Sequence, residues 1–304
     1  MVQKKAGNVI MAENEWCVES ADGERLDLFL VRHNPGYSRG YFQKLIKNAS
    51  VLVNGVVLTP HYAVRENDMI TVRHEDRQPA CVGEDISLDI IHEDDDILLI
   101  NKPVGLVVHP ACGHAGGTLL NALYGHARGA FVPFLVHRLD KNTSGVIVTV
   151  KNEKAKKSLV AQFQKRAVKK VYRALVKGVI IEQRVRIEAP IGRSQKDRKI
   201  MMVGPLAKKM AVTELSVIRR DKDYSCIEAY PVTGRTHQIR CHLAYIGHPV
   251  AGDTVYGGPE EIAGIPVIRQ LLHAYSISFN HPGTGKRVEY GAPMPDDMKK
   301  WWGK

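Results

Sequence analysis

Hydrophobic residues recur at helical spacing in two short segments near the start of the chain. Leu26, Phe29 and Leu30 form one apolar stripe, which predicts a helix that ends at the breaker over 34–36. A second helix is predicted directly afterwards, with Ser38 as its N-cap. Its buried face would be formed by four apolar residues, Phe42, Leu45, Ile46 and Ala49.

Short apolar runs bounded by turn residues predict strands over most of the remaining chain. The runs 51–53 and 56–58 flank an Asn54–Gly55 pair, which favours a hairpin. Helical spacing returns in two later segments, which predict helices over about 153–164 and 236–246. Further strands are predicted at 69–72, 97–100, 145–150 and 168–177.

The pattern divides the chain into two domains. Two helices and a small sheet occupy residues 16–76, and residues 86–304 form a larger second domain in which strands dominate. The segment 77–85 contains Pro and Gly and begins an acidic stretch, so it is predicted to be a linker. Residues 1–15 are polar and are predicted to form a mobile tail.

Composition adds the protein class. The 304 residues are 44% hydrophobic and 25% charged, which is typical of a globular protein and not of a disordered or fibrous one. No apolar run is long enough for a membrane span, and no signal peptide is recognisable, so no membrane association is expected. The five cysteines are scattered and form no C-x-x-C pair, which favours reduced thiols and a cytoplasmic protein.

The charge points to a polyanionic partner. The formal net charge is +11, and residues 151–222 alone carry 21 basic and six acidic side chains. Residues 1–80 carry equal numbers of both signs. A local basic face on the second domain is therefore expected to attract a partner such as RNA.

Several familiar sites are excluded by their spacing. The segment 281–286 lacks the first glycine and the final Ser or Thr of a phosphate loop. The histidines form no H-E-x-x-H motif, so no metal site is predicted. No G-x-S-x-G or G-x-G-x-x-G motif supports a hydrolase or a dinucleotide-binding enzyme.

The segment 137–145 is the strongest candidate for chemistry. It lies between two apolar runs that predict strands, so it could hold Asp140 rigidly in a partly desolvated site. Taken alone, Asp140 is more simply a turn former or an ion-pair partner of Arg138 or Lys141. The loop by itself leaves both interpretations open.

The same segment, His-Arg-Leu-Asp-Lys-Asn-Thr-Ser-Gly, resembles the signature of the RluA-type pseudouridine synthases, which isomerise chosen uridines in RNA. The N-terminal domain resembles an S4 RNA-binding domain, and the domain order is similar to that of the RluD-type members, which modify large-subunit ribosomal RNA. The resemblance departs from the S4 pattern where Ser50 and Asn67 replace glycines. Further matching blocks follow in the order of the family, at 102–110, 170–178, 234–240 and 242–257.

The resemblance implies an α+β fold, with a mixed, largely antiparallel sheet in the catalytic domain, and a reaction that needs no cofactor. It implies that Asp140 is the catalytic carboxylate and that Arg235 is the cation beside it. Tyr172 would stack on the uracil, and Arg138 would assist base flipping. Leu243 is a possible residue of the base pocket, although its spacing favours the core.

In the S4-like domain, RNA contacts are expected from one polar helix face, formed by Arg39, Gln43 and Lys47. A monomer is expected, with ribosomal RNA as partner. Two alternatives remain open from the sequence. The chain could be an RNA-binding protein with an inactive pocket, or a glycosylase in which water completes the reaction and the base is lost.

Overall fold

The computed structural model describes residues 12–20, 23–34, 37, 39–74, 82–110, 116–195, 197, 200–204, 207 and 209–302. The chain divides into two compact units, 1–81 and 82–304. The division falls inside the predicted linker, of which residues 77–81 lie outside the described part, as does Ser38.

The first unit packs two helices on a three-stranded sheet. The sheet order is β1-β3-β2, and both pairings are antiparallel. Its core joins the predicted helix faces, including Leu26, Phe42 and Ile46, to Val51 and Ile70 of the strands. The elements are β1 (Ala12–Cys17), α1 (Leu26–His33), α2 (Arg39–Lys47), β2 (Val51–Val53) and β3 (Met69–His74).

Two sequence predictions fail in this unit. Residues 12–15, assigned to a mobile tail, belong to β1 and pair with β3, because their backbone completes the edge of a sheet. The predicted hairpin partner over 56–58 forms a single bridge, Val53 to Val56, and β2 pairs with β3 instead.

The second unit is built on one large sheet. Within the described residues, eleven strands join it in the order β10-β9-β11-β12-β8-β15-β7-β5-β4, with β16 added beside β15 and β6 beside β7. The strands of this sheet are β4 (Ile90–Glu93), β5 (Ile97–Lys102), β6 (Phe134–Leu135), β7 (Ser144–Val150), β8 (Lys169–Lys177), β9 (Arg184–Arg193), β10 (Met201–Val203), β11 (Lys209–Arg220), β12 (Tyr224–Pro231), β15 (Leu272–Asn280) and β16 (Arg287–Gly291). Two short strands, β13 (Glu261–Ile262) and β14 (Ile265–Pro266), pair with each other in a separate sheet. The helices are α3 (Leu119–Ala127), α4 (Glu153–Gln164), α5 (Gln238–Tyr245) and α6 (Asp296–Trp302).

The sheet is mixed and largely antiparallel, as the sequence predicts. Its parallel pair joins β15 to β7, with His273 opposite Ser144 and Ala274 opposite Gly145. Strand β8 lies on the other side of β15 and places Tyr172 opposite Ala274. The segment that precedes β7 therefore enters the sheet near the level of Tyr172, with β15 between β7 and β8.

Two hydrophobic clusters fix these strands. One joins β5 and β7 to α4, including Ile100, Ile147 and Leu159. The other packs α5 on β8 and β12, including Leu243 and Ile227. Both clusters contact Tyr172, which lies where they meet.

The second unit begins earlier than the sequence predicts. The Glu84 N–H donates to the Asn121 carbonyl at 3.0 Å, and the Asn121 side chain donates to the Val82 carbonyl at 3.0 Å. Residues 82–85, predicted to be linker, thus pack on α3, a helix that the sequence analysis did not predict. Across the described residues, no helix is both long and apolar enough to cross a membrane.

Candidate active site

Asp140 lies in the loop between β6 and β7, and a buried lysine holds this loop in place through hydrogen bonds to backbone carbonyls. Lys102 is fully buried at the end of β5, and its ammonium donates to three backbone carbonyls, those of Pro103, Leu106 and Lys141, at 2.7, 3.0 and 3.1 Å. Burial lowers the pKa of Lys102 to about 8. The contact to the Lys141 carbonyl holds the residue next to Asp140 against β5.

The other end of the loop is fixed where β7 begins. Gly145 has a φ of +112°, and a Cβ at this position would lie 2.2 Å from the Ala274 carbonyl oxygen. The Ser144 hydroxyl donates to Nδ1 of His273 at 2.9 Å, because Nε2 of that ring donates to the Ala292 carbonyl at 3.2 Å. Burial lowers the pKa of His273 to about 4, so the ring is neutral and rigidly oriented.

The cation beside Asp140 is Arg240. Its Nη1 donates to Oδ2 of Asp140 at 3.1 Å. Its Nε and Nη2 donate to the two carboxylate oxygens of Asp253 at 2.6 and 2.8 Å. Both the Arg240 and Asp253 side chains are almost completely buried, whereas Asp140 keeps 17% of its side chain exposed. A bidentate pair of this kind fixes the plane of the guanidinium, so Asp253 orients Arg240 toward Asp140.

A histidine and a tyrosine complete this side of the carboxylate. The Tyr256 hydroxyl accepts from the Met201 N–H at 3.0 Å and shares a hydrogen bond with Nδ1 of His237 at 2.9 Å. The other ring nitrogen of His237, Nε2, lies 3.9 Å from Oδ1 of Asp140. Burial lowers the pKa of His237, so the ring is neutral at neutral pH. The ring therefore lies beside the carboxylate without adding a charge.

The assignment of Arg235 as the partner of Asp140 is wrong. Arg235 is exposed, and its Nε lies 3.4 Å from the Met210 carbonyl. Helix α5 begins at Gln238, so Arg235 belongs to the preceding turn and not to the helix. Arg240, five residues later and within α5, is buried and reaches Asp140.

Tyr172 projects from β8 into the same cleft as Asp140. Burial, together with the nearby Asp140 carboxylate, raises the pKa of Tyr172 well above its usual range. The phenol is therefore protonated at neutral pH. The ring contacts both hydrophobic clusters, which fixes it as a flat apolar wall of the cleft.

The cleft that contains these groups has a volume of about 480 Å³. Arg138, Asp140, Tyr172 and Arg235 all line it, so the predicted site residues of the second domain do come together. Leu243 does not line it. That side chain is fully buried in the cluster beneath α5, which corrects its assignment to the base pocket.

A second cleft of about 850 Å³ opens on the other side of Arg138 and Asp140. His109, Pro110, Val267 and Ile268 are among the residues that line it. Ile268 is 95% exposed. Asp140 thus lies between two open grooves, and Arg138 borders both.

The predicted RNA-contacting face of α2 is partly used inside its own unit. The Asp27 side chain is fully buried and accepts from Arg25, from Nε of Arg39 at 2.9 Å and from Gln43 at 2.7 Å. Burial opposes ionisation of Asp27, but these donors outweigh it and lower the pKa to about 2. Arg39 and Gln43 therefore join α2 to α1, and Lys47 remains exposed.

One group of side chains has the spacing of a metal site. Oxygen or nitrogen atoms of Asp94, Asp96 and His281 lie within 4.8 Å of one another. However, Nδ1 of His281 accepts from two backbone N–H groups, those of Gly283 and Thr284. Its Nε2 therefore carries the proton that it donates to Asp94 at 2.9 Å. The cluster therefore has a structural explanation, because these hydrogen bonds join the residue after β4 to the turn after β15.

Arg240, Asp253 and His237 were missed as site residues, although the sequence contains a signal for Arg240. On a helix with Ile239 and Leu243 on its buried stripe, Arg240 lies beside that stripe and not on the solvent side. A buried arginine requires a carboxylate partner. No short-range spacing indicates Asp253, because its contact depends on the turn after α5.

The sequence matches two family models. Residues 96–245 match the RNA pseudouridylate synthase family, and residues 24–70 match the S4 domain. The chain is 42% identical over 287 residues to an uncharacterized RNA pseudouridine synthase of Bacillus subtilis, covering 92% of this chain and 93% of that protein. It is 43% identical over 289 residues to ribosomal large subunit pseudouridine synthase D of Neisseria meningitidis, covering 91% of this chain and 77% of that protein.

A solved structure is similar as well. The human RNA pseudouridylate synthase domain containing 1 superposes with a TM-score of 0.57 at 31% identity, covering 69% of this chain and 85% of that one. The family match over residues 96–245 includes both Asp140 and Arg240. With an S4 domain before the cleft that holds Asp140, this chain belongs to the RNA pseudouridylate synthase family.

Proposed function

We propose that this protein isomerises specific uridines of large-subunit ribosomal RNA to pseudouridine, with Asp140 as the catalytic carboxylate. The observation that carries the proposal is the position of Asp140 in an open cleft, 3.1 Å from a buried arginine and across from Tyr172. The large-subunit substrate is supported by the name of the similar Neisseria protein. A ribosomal RNA substrate is consistent with a cytoplasmic location.

The chemistry needs one carboxylate at C1′ of the ribose. The N1–C1′ bond breaks, the uracil turns, and C5 joins C1′, so no atom is gained or lost. Asp140 either attacks C1′ or supports a glycal-like intermediate. In both pathways Arg240 stabilises the ionised carboxylate and Asp253 holds Arg240 in place. No group outside the chain is required for these steps.

The cleft suits a nucleotide that has left its helix. A target uridine inside folded RNA must be extruded before Asp140 reaches C1′. Arg138 stands beside Asp140, is exposed, and borders both grooves, which fits a side chain that occupies the gap or binds phosphate. Tyr172 offers the face on which the uracil stacks. Its raised pKa makes the phenol a hydrogen-bond donor, not a base, at neutral pH.

The test is conversion of a large-subunit ribosomal RNA transcript by the purified protein, with nucleosides and free base analysed separately. We expect pseudouridine to form without release of uracil. We expect Asp140→Asn, which keeps the shape of the side chain, to lose conversion while retaining RNA binding. Free uracil or abasic RNA would instead indicate a glycosylase. Conversion that is unchanged in Asp140→Asn would contradict the mechanism, and RNA binding without any conversion would indicate a binding protein.

A further inference from the structure

Lys170 is a cation in the cleft that the mechanism above does not use. Its side chain lines the cleft, and the residue is partly buried. A Cβ built on Gly234 would lie 4.0 Å from its ammonium, which locates the charge beside the turn before α5. Among the described residues, its ammonium has neither an ion-pair partner nor a hydrogen-bond acceptor. Burial alone lowers the pKa of Lys170 to about 8.

A desolvated ammonium without a partner is costly to the folded protein. Structural lysines avoid this cost by pairing or by capping carbonyls, as Lys102 does with three of them. Lys170 has no such compensation, yet it faces an open cleft. The arrangement fits a group that receives its hydrogen-bond acceptor from a bound molecule.

Strand register indicates where that acceptor lies. Along β8, Lys170 is opposite Ile277 of β15, and Tyr172 is opposite Ala274. Strand β7 begins opposite His273, and Asp140 lies before that start. Along the strand direction, Tyr172 therefore lies between the Asp140 loop and Lys170. A uracil that stacks on Tyr172 with C1′ at Asp140 directs its far edge toward Lys170.

The neighbouring ring makes Lys170 the charged donor at this end of the cleft. Nε2 of His137 accepts from the Val148 N–H at 3.0 Å, and the ring stacks on Phe163. Burial and the charge of Lys170 lower the pKa of His137 to about 3, so His137 is neutral. Of the four arginines that line the cleft, Arg240 is buried and already paired with Asp140 and Asp253, whereas Arg138, Arg166 and Arg235 are exposed. These exposed arginines are better placed to bind phosphates, because the RNA backbone stays hydrated and continues outside the cleft on both sides of the target nucleotide.

We propose that Lys170 donates to a carbonyl oxygen of the target uracil and stabilises the negative charge that this base carries when the N1–C1′ bond breaks. The proposal rests on the function proposed above. The bonding electrons of N1–C1′ pass to the ring and are shared by its carbonyl oxygens, whichever pathway Asp140 follows. They return when C5 bonds to C1′, and the C5 proton then leaves while N1 is protonated. Lys170 keeps its proton throughout and acts by hydrogen bonding and charge.

The test compares two RNA substrates that differ in the target base, uridine and 5-fluorouridine, in single-turnover reactions at saturating enzyme. Fluorine withdraws electrons and stabilises the negative charge on 5-fluorouracil, so breakage of its N1–C1′ bond depends less on a donor from the protein. We expect Lys170→Met to slow uridine conversion by about 100-fold, as loss of one donor to a developing anion does. Consumption of 5-fluorouridine should slow by much less. Lys170→Arg, which keeps the charge, should retain more of the uridine rate than Lys170→Met.

Lys169→Met is the matched control. It removes the same charge from the adjacent position, which faces the other side of β8 and is exposed. The ratio of the two substrate rates should stay at the wild-type value in this variant. Lys170→Met should also raise the melting temperature, because it removes an uncompensated buried charge.

Three results would overturn the inference. Equal slowing on both RNAs would show that Lys170 does not respond to charge on the base. An effect confined to RNA affinity would show that Lys170 binds a phosphate and not the base. A lower melting temperature, with the ratio of the two substrate rates unchanged, would show that Lys170 has a structural role. If the wild-type protein forms no pseudouridine at all, the proposed function fails instead, and the two failures are thereby separated.

Discussion

Arg240 binds two carboxylates at once, and its position decides how Asp140 is presented to a substrate. Asp253 takes two of its donors and Asp140 a third. A lysine at this position would keep the charge but has no planar fork to join both carboxylates in a fixed geometry. Asp253 is thus a positioning residue for the candidate catalytic group.

We therefore expect Arg240→Lys to slow uridine conversion by about 100-fold, since a small displacement of a reacting group has an effect of this size. Arg235→Lys is the matched control, because Arg235 is exposed in the turn before the same helix. Its single-turnover rate should stay within about threefold of wild type, an effect small beside that of displacing a reacting group. A larger loss in Arg235→Lys than in Arg240→Lys would reverse the assignment made from the geometry.

The pH dependence of the reaction follows from Lys170. Its pKa in the folded protein, about 8, lies below the ordinary lysine value of 10.5. The ammonium is therefore present below pH 8 and is lost as the pH rises through this value. We expect the single-turnover rate to fall above about pH 8, and Lys170→Arg to keep its own rate to higher pH because arginine stays protonated. Identical pH profiles for the two proteins would assign the fall to another group, such as Lys102.

Among the secondary structure elements, the junction of β7 and β15 carries the greatest constraint on the site. The parallel pair forms here because Gly145 allows the two backbones to approach closely. Asp140 lies five residues before this glycine, so the junction sets the end of its loop.

Gly145→Ala is expected to disturb this junction. Its Cβ would meet the Ala274 carbonyl oxygen at 2.2 Å, and we expect a loss of about 3 kcal/mol in the free energy of unfolding. Thermal or denaturant unfolding followed by circular dichroism measures it. Gly285→Ala is the control, because Gly285 also has a positive φ but its Cβ would meet nothing within 4 Å. Its cost should be about 1 kcal/mol, and equal costs in the two variants would contradict the close approach.

Periodicity predicted the elements whose burial repeats regularly, and failed where a partner distant in sequence decides. Helix α4 begins and ends as predicted, because Ala155 and Leu159 lie on one buried face. Strand β1 was missed because its sequence, Ala12–Cys17, is polar and gains order only from pairing with β3. The same limit explains the site. The loop with Asp140 is local in sequence, whereas Arg240 and Asp253 reach it through tertiary contacts.

For the whole molecule, the structure sharpens the meaning of the basic segment 151–222. Part of that charge is neutralised, since Arg186 pairs with Glu188 and Glu214, and Arg219 pairs with Asp221. On α4, by contrast, Lys154 and Lys157 are exposed and have no ion-pair partner among the described residues. The lysines of α4 are therefore the stronger candidates for RNA attraction.

Replacing Lys154 and Lys157 with Gln should weaken RNA binding and flatten its salt dependence. Each phosphate contact contributes about 0.7 to 0.9 to the slope of log K against log salt. The control replaces Arg186 and Arg219 with Gln, which removes two charges that are already paired. Binding measured over a range of salt concentrations separates the two. A greater change of slope in the control would indicate that the RNA binds the surface around Arg186 and Arg219 and not α4.

The proposed role of Asp140 is to form pseudouridine in ribosomal RNA. The most direct measurement maps pseudouridines in large-subunit ribosomal RNA from cells that lack the gene, complemented with the wild-type protein or with Asp140→Asn. If Asp140 has this role, specific positions lose pseudouridine on deletion, regain it with the wild-type protein, and stay unmodified with Asp140→Asn. Restoration by Asp140→Asn, or a map that deletion leaves unchanged, would contradict it.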